Sequence, residues 1–318
     1  MILVTGATGF VGTALVARLA REGMETRACI RRDDASVPTG IHTVHVGDLT
    51  GDADWSQALA CIGVVVHAAA RVHVMDDTAT NPLAEFRRVN VQGTLNLARQ
   101  AAAVGVRRFV FISSIKVNGE ATTLGLPFSA DDMPAPLDPY GVSKMEAEQG
   151  LRKMAAETGM EVVIIRPPLV YGPGVKANFQ TMMRWLGRGV PLPLGAINNR
   201  RSMVALDNLV DLILTCIDHP AAANQTFLVS DGEDLSTTQL LQRLGRALGK
   251  PARLIPVPSM FLRVGAALLG KPEIARRLCG SLLVDISKTQ QLLEWAPPLS
   301  VDEGLKRAAE GYLRETSV

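Results

Sequence analysis

The first twelve residues, MILVTGATGFVG, constrain the fold more than any other stretch of the chain. An apolar run over 2–5 meets three glycines, Gly6, Gly9 and Gly12, and a helix-period pattern follows over 13–21. In a GxxGxxG turn of this kind the first glycine permits the tight turn. The second lets backbone approach a pyrophosphate, and the third lets the helix pack close on the strand. The N–H groups that open the helix then face the anion, and the helix dipole favours negative charge there. Strand, turn and helix in this order are the context the motif requires. Gly6, Gly9, Phe10, Val11 and Gly12 are therefore assigned to the phosphates of a dinucleotide.

The rest of the chain agrees with that start. Short apolar runs at 27–30, 43–46, 64–68, 108–113 and 161–166 alternate with helical patterns, the longest over 83–103 and 140–157. Runs rich in Val and Ile without polar alternation are strands buried on both faces. The expected fold class is α/β, a Rossmann-like doubly wound parallel sheet. After residue 166 prolines and glycines gather up to 193, and a strand-then-helix pattern returns at 201–218. A short strand is expected at 226–229, then mostly helix, broken at 251–258 and 297–298. Two interleaved units follow: a dinucleotide-binding domain of residues 1–170 plus 201–230, and a smaller, mainly helical C-terminal substrate lobe of 171–200 plus 231–318.

Composition removes several classes. With 33 basic and 31 acidic residues among 318, the net charge of +2 gives no electrostatic case for nucleic acid or an anionic membrane as the main partner. Cys29, Cys61, Cys216 and Cys279 lie far apart with no CxxC, so reduced core thiols are expected rather than disulfides or a metal site. No run reaches the roughly 18 apolar residues of a membrane span, and a structural motif starts at Met1, so a cytoplasmic protein is expected. The apolar stretch 261–269 is read as a helix of the substrate lobe, the alternative being a surface patch against a membrane or a partner.

The second strand ends in Ile30, Arg31 and Arg32, about 20 residues past the turn, where a ribose hydroxyl or its phosphate is read. Two guanidiniums suit a 2′-phosphate and point to NADP. NAD is the alternative, because Asp33 and Asp34 can pair with the same arginines.

DPYGVSK at 138–144 places Tyr140 and Lys144 one turn apart on a helix face. The ammonium is expected to lower the tyrosine's pKa and make it a general acid or base. Ser113 and Ser114 end a strand at the carboxyl edge where open α/β sheets bind ligands. One hydroxyl is expected to polarise a substrate oxygen and the other to cap a turn. His67 is read as a buried structural histidine and Tyr171 as a pocket wall.

Together these residues resemble the extended short-chain dehydrogenase/reductases, in particular the nucleotide-sugar epimerase, dehydratase and reductase group, over nearly the whole chain. GATGFVG at 6–12 is similar to the family's cofactor turn, Asp48 and Leu49 to its adenine-contacting pair, and HAAA at 67–70 to its cofactor-lining segment. NVQGT at 90–94 resembles NVxGT, SSIKVNG at 113–119 resembles SSxxVYG, and RPPLVYGPG at 166–174 resembles RPxxVYGPG. The resemblance implies cofactor contacts at Ala68, Ala69, Ala70, Asn90 and Pro167, makes Ser114 the active serine, and implies substrate contacts at Asn178, Phe179 and Arg201. It also implies a UDP-sugar substrate and a homodimer paired through 83–103 and 140–157.

Two departures stand out: Asn118 where VYG has tyrosine, and Ser202 in RSMV at 201–204, which otherwise resembles the family's RDFV, where the family has aspartate. Ile115 and Lys116 follow the active serine where dehydratases carry Asp-Glu, so water elimination is not expected. A 4-ketoreductase using NADPH, acting on a UDP-4-keto-6-deoxy-N-acetylhexosamine for surface polysaccharide, is the first expectation. A 4-epimerase with tightly bound NAD is the second. A non-catalytic NADP-binding regulator is disfavoured by the intact Tyr140 and Lys144.

Overall fold

The computed structural model describes residues 1–31, 37–72, 81–270 and 272–316. Nine strands are present among them: β1 (Ile2–Thr5), β2 (Thr26–Ile30), β3 (His42–His45), β4 (Val64–His67), β5 (Arg108–Ile112), β6 (Glu161–Arg166), β7 (Leu169–Tyr171), β8 (Met203–Ala205) and β9 (Thr226–Leu228). Seven form one parallel sheet in the order β3-β2-β1-β4-β5-β6-β9, and β7 pairs with β8 in a small second sheet. The expected α/β doubly wound architecture is thus observed.

Helices cover both faces. On one side lie α1 (Phe10–Arg21), and on the other the short α2 (Ser56–Leu59), α3 (Pro82–Phe86), α4 (Thr94–Ala103) and the long α5 (Pro139–Thr158). The strands carry Val, Ile and Phe on both faces because both faces are covered: Leu3, Val4, Val65, Val66, Phe109 and Val110 are all fully buried. Leu15, Val16 and Leu19 of α1 are buried at the expected helical spacing. Each such side chain contributes about 1.5–3 kcal/mol of transfer free energy.

The helix expected over 83–103 has a π-helical segment, Arg87–Gly93, between α3 and α4. Helical periodicity does not distinguish it, and such widened turns recur at functional sites.

The chain beyond β6 builds α6 (Ala177–Gly187), α7 (Leu206–Asp218), α8 (Thr237–Ala247), α9 (Ser259–Leu268), α10 (Pro272–Cys279), α11 (Ser287–Leu293) and α12 (Val301–Thr316). Helix α7 returns to the sheet and packs with α1. Helices α6, α8 and α12 instead enclose a separate core around β7 and β8, with Tyr171, Phe179, Met183, Leu241, Leu244 and Ala308 inside it.

Because the strands of the large sheet are parallel, their carboxyl ends share one edge. Gly6, Arg31, Ala68, Ser113 and Pro167 follow directly on β1, β2, β4, β5 and β6 there. Strand order reverses between β1 and β4, which is where doubly wound sheets open a ligand crevice. Three of the four cysteines are buried, as expected. Cys61 is the exception: it lies exposed in a turn with φ of 61°.

Candidate active site

The glycine turn is as tight as its sequence requires. Gly6 adopts φ of +67°, and a Cβ there would lie 2.7 Å from the Ala69 nitrogen. A Cβ on Gly12 would lie 2.0 Å from the Gly6 oxygen, because α1 packs directly on the turn. Gly9 donates to the Gly6 carbonyl at 2.9 Å and precedes α1. The first turn of α1 has neither a side-chain cap nor an acidic residue. Its N–H groups therefore remain directed at the crevice, with Thr8 and Gly9 exposed and Phe10 and Val11 half-buried. These are the features a dinucleotide's pyrophosphate needs, and the residues fit that group.

Ala68 and Ala69 lie across from the turn, their N–H groups donating to the Thr5 carbonyl and hydroxyl at 3.3 and 3.4 Å. Asp48 is largely exposed 3.8 Å from Arg31, while Leu49 is buried against Gly93. Arg31 is thus partly engaged by a carboxylate, and Arg32, Asp33 and Asp34 lie outside the described residues. Pro167 is buried, and its carbonyl accepts from the Ile115 N–H at 3.0 Å.

Asn90 differs from the expectation of a direct cofactor contact. Its amide donates to the Arg71 carbonyl and to Ser143 Oγ, each at 3.0 Å, and accepts from the Arg71 N–H at 2.8 Å. All of that bonding joins the loop after β4 to α5, so Asn90 positions the crevice wall from within the π-helical segment.

Tyr140 and Lys144 sit on α5, whose start is fixed by its cap. Asp138 accepts from the Gly141 N–H at 2.6 Å, and Pro139 occupies the first helical position. Asp138 also pairs with Lys116. Lys144 is buried; its Nζ donates to the Ile112 carbonyl at 2.8 Å and lies 4.3 Å from the centre of the Phe111 ring. Burial lowers its pKa to about 7, against the opposing pull of Glu148. Ser114 opens a 3₁₀ turn, accepts from the Lys116 N–H at 3.2 Å and hydrogen-bonds the Tyr140 side chain. Tyr140, Ser114 and Lys144 are brought together as the sequence predicts.

The tyrosine's acidity is a correction. Burial, helped by the Asp138 carboxylate, pushes its pKa up to about 12, and only the Ser114 hydrogen bond pulls the other way. Lys144 does not lower it here, because its ammonium is turned to the Ile112 carbonyl and is itself destabilised by burial.

Ser113 is the structural serine of the pair. It donates to Glu148 Oε1 at 2.6 Å, and the same carboxylate pairs with Arg166, whose Nη1 donates to Asn118 Oδ1 at 2.9 Å. Asn118, in the place of the family tyrosine, also donates to the Ser129 carbonyl at 2.8 Å. Sequence reasoning missed Glu148. Its signal was a carboxylate four residues after Lys144 on the same helix face, opposite an arginine closing a buried strand.

His67 is buried and neutral, its pKa lowered to about 3 by burial and by Lys144. It bridges Thr5 at 2.6 Å and Thr94 at 2.9 Å, which makes it the structural histidine expected.

In the second core two expectations change. Phe179 is fully buried, stacked on Tyr171 at 5.5 Å, so its ring holds the core together and is closed to a ligand. Tyr171 is not a pocket wall either: it is buried and donates to Asp231 Oδ2 at 2.7 Å. Asp231 also accepts from the Ala205 N–H and Asn208, tying β7, β8 and α7 together. Asn178 remains exposed in the first turn of α6. Arg201 is half-buried, donating to the carbonyls of Arg277 and Gly280 at 3.1 and 3.2 Å. Burial and the neighbouring Arg277 lower its pKa, the mark of a cationic pair suited to an anion. Ser202 bonds Asp234, which supplies a carboxylate near the position where the family has its own.

The chain belongs to the NAD dependent epimerase/dehydratase family, whose model matches residues 2–230. It is 50% identical over 98% of its length to a UDP-glucose 4-epimerase of Vibrio cholerae, covering 95% of that protein. It is 30% identical over 85% of its length to an N-acetyl-alpha-D-glucosaminyl-diphospho-ditrans,octacis-undecaprenol 4-epimerase of Escherichia coli O157:H7, covering 77% of it. Among solved structures it is similar to MoeE5 in complex with UDP-glucose and NAD, with a TM-score of 0.77, 26% identity and coverage of 100% and 99% of the two chains. The chain is an enzyme of this family.

Proposed function

We propose that the protein is a UDP-sugar 4-epimerase that works with a retained NAD. The observation that carries the reading is the hydrogen-bonded Tyr140 and Ser114, with buried Lys144 one helical turn on, beside a glycine turn built for a pyrophosphate. The two relatives named as 4-epimerases favour this reaction over the ketoreductase expected first from sequence. Arg31, one of the two arginines that pointed to NADP and so to a reductase, leans on Asp48.

The turn Gly6–Gly9–Gly12 and the first N–H groups of α1 would hold the pyrophosphate of NAD, with Ala68, Ala69 and Pro167 along the crevice. Bound NAD supplies a reversible hydride acceptor for the sugar carbon. Tyr140 takes the proton of the C4 hydroxyl as the phenolate, a form that its burial beside Asp138 disfavours and Ser114 favours, and returns it to the same oxygen, so the protein ends each turnover unchanged. Ser114 donates to that oxygen and holds it at the phenol. Lys144, one turn along α5, can supply positive charge to the phenolate by turning from the Ile112 carbonyl that holds its ammonium. Arg201 and Asn178 hold the diphosphate of the nucleotide.

The test is to denature the purified protein and identify the nucleotide released. One NAD per chain, with interconversion of UDP-glucose and UDP-galactose or of their N-acetylated forms without added cofactor, is expected. An empty protein that consumes NADPH with a UDP-4-keto sugar would overturn the reading in favour of the reductase. Tyr140→Phe is expected to keep the nucleotide and to lose about 10²–10⁴-fold in turnover.

A further inference from the structure

Helix α9 is ten residues long and buries none of them. Met260, Phe261, Val264 and Leu268 are 71, 66, 50 and 83% exposed, and Leu269, just past the helix, 78%. Positions 260, 264 and 268 form one row, with 261 beside it, so the side chains make a continuous face. Ile255 before the helix and Ile274 on α10, which packs against α9, extend it at 50 and 51% exposure. By contrast α8, with a more polar composition, buries Leu240, Leu241 and Leu244. A soluble chain rarely leaves an apolar helix wholly uncovered unless something else covers it.

Charge indicates what does. Residues 246–277 carry seven basic side chains, Arg246, Lys250, Arg253, Arg263, Lys271, Arg276 and Arg277, and one acidic one, Glu273. The near-neutral total therefore conceals a strongly basic segment, offset by excess acid elsewhere in the chain. Arg253 and Arg263 flank the apolar face and are exposed. Among the described residues no helix is long and apolar enough to cross a membrane. An apolar helical face flanked by arginines is the pattern that lies in the headgroup region of an anionic bilayer. We infer that α9, with the basic segment around it, docks the protein on the surface of an anionic membrane. The same segment reaches the candidate substrate site, since Arg277 of α10 stands beside Arg201. Docking places that site at the lipid surface, and it does so whatever reaction the site performs.

The test is co-sedimentation of the full chain with phosphatidylglycerol-containing vesicles and with phosphatidylcholine vesicles. The chain is expected to pellet with the first and not the second, and to be released by high salt. Phe261→Glu with Leu268→Glu, and separately Arg253→Glu with Arg263→Glu, are each expected to weaken retention about tenfold or more. Both double variants should keep the parent's melting temperature and its turnover of a soluble substrate. Failure of the unaltered chain to bind anionic vesicles overturns the inference, as does equal retention of the variants. Self-association in the ultracentrifuge that the apolar variant abolishes, without vesicle binding by the parent, overturns it too and makes the face a protein interface.

Discussion

Glu148 and Arg166 form an ion pair in which both side chains are 2% exposed, with Arg166 Nε at 2.9 Å and Nη2 at 2.6 Å from the two carboxylate oxygens. The pair joins α5, which carries Tyr140 and Lys144, to the end of β6, where the crevice begins. Ser113 donates to the same carboxylate, and Asn118 accepts from the same guanidinium. Removing Glu148 leaves the buried Arg166 guanidinium without its counter-ion, and removing Arg166 leaves the buried Glu148 carboxylate only the longer contact to Arg152 at 3.6 Å. Glu148→Leu and Arg166→Leu are each expected to cost about 3–5 kcal/mol of stability. The double variant should cost less than the two singles together, which a denaturant titration of all four proteins would show. Additive losses would mean that the two residues act separately.

The glycines differ in what they tolerate. At Gly12, in the first turn of α1, a Cβ meets backbone at 2.0 Å, whereas Gly23, just past the end of α1 with φ of +69°, has open space around it. Gly12→Ala is expected to move α1 off the turn and abolish nucleotide retention. Gly23→Ala should cost only about 1 kcal/mol of backbone strain and leave retention unchanged. Measuring released nucleotide and melting temperature for both separates the two effects.

The contrast also shows what was legible in the chain. The glycine turn, the strands of the large sheet and the Tyr140–Lys144 pair follow from short-range rules, and those seven strands start and end within one residue of the apolar runs, whereas β7 lies in the Pro- and Gly-rich stretch where no strand was expected. The roles of Tyr171 and Phe179 were not legible, because their burial depends on α6, α8 and α12 closing around β7 and β8 from distant parts of the chain. The π-helical segment was hidden because Phe86, Leu97 and Ala101 keep an apolar pattern on either side of it. Asn90 was placed in the crevice, but its work is internal because three hydrogen bonds consume its amide. The basic character of 246–277 was masked by taking charge over the whole chain.

Arg31 decides between the two cofactors. If NAD is retained, Arg31→Ala should leave both the nucleotide and its stoichiometry unchanged, because an exposed arginine beside Asp48 has no phosphate to hold. A roughly tenfold loss of NADPH affinity in that variant would instead restore the reductase reading, since a charge-assisted contact to a 2′-phosphate is of that size.

His67 links β1, β4 and α4 through Thr5 and Thr94, whose hydroxyls are buried with it. Its pKa is about 3 folded, against an ordinary value near 6.5 unfolded. As pH falls from 6.5 towards 3 the unfolded chain takes up a proton that the folded chain refuses, so stability is lost across that window. His67→Phe is expected to cost about 2–3 kcal/mol at pH 7 by stranding two hydroxyls. It should also flatten the stability profile between pH 6.5 and 4. A variant as stable as the parent at pH 7 would remove His67 from the account of the fold.

Lys144 shows the opposite balance between stability and function. It is buried, its ammonium donating to the Ile112 carbonyl over the Phe111 ring, and its pKa falls from 10.5 to about 7. Between pH 7 and 10.5 the unfolded chain holds a proton that the folded chain has released, so stability rises with pH across that range. The penalty is fully present below pH 7. Lys144→Met keeps the stem's packing over Phe111 and removes the charge. The nucleotide-free variant is therefore expected to melt about 3 °C or more above the nucleotide-free parent at pH 6, even after losing the hydrogen bond to Ile112. Its melting temperature should no longer climb between pH 7 and 9 beyond what the other groups contribute, while turnover is lost. Such a trade of stability for a charged group is what an active site demands of a buried lysine. A Lys144→Met protein that melts below the parent at pH 6 would show that the ammonium stabilises the crevice, and would overturn the assignment of its lowered pKa to burial.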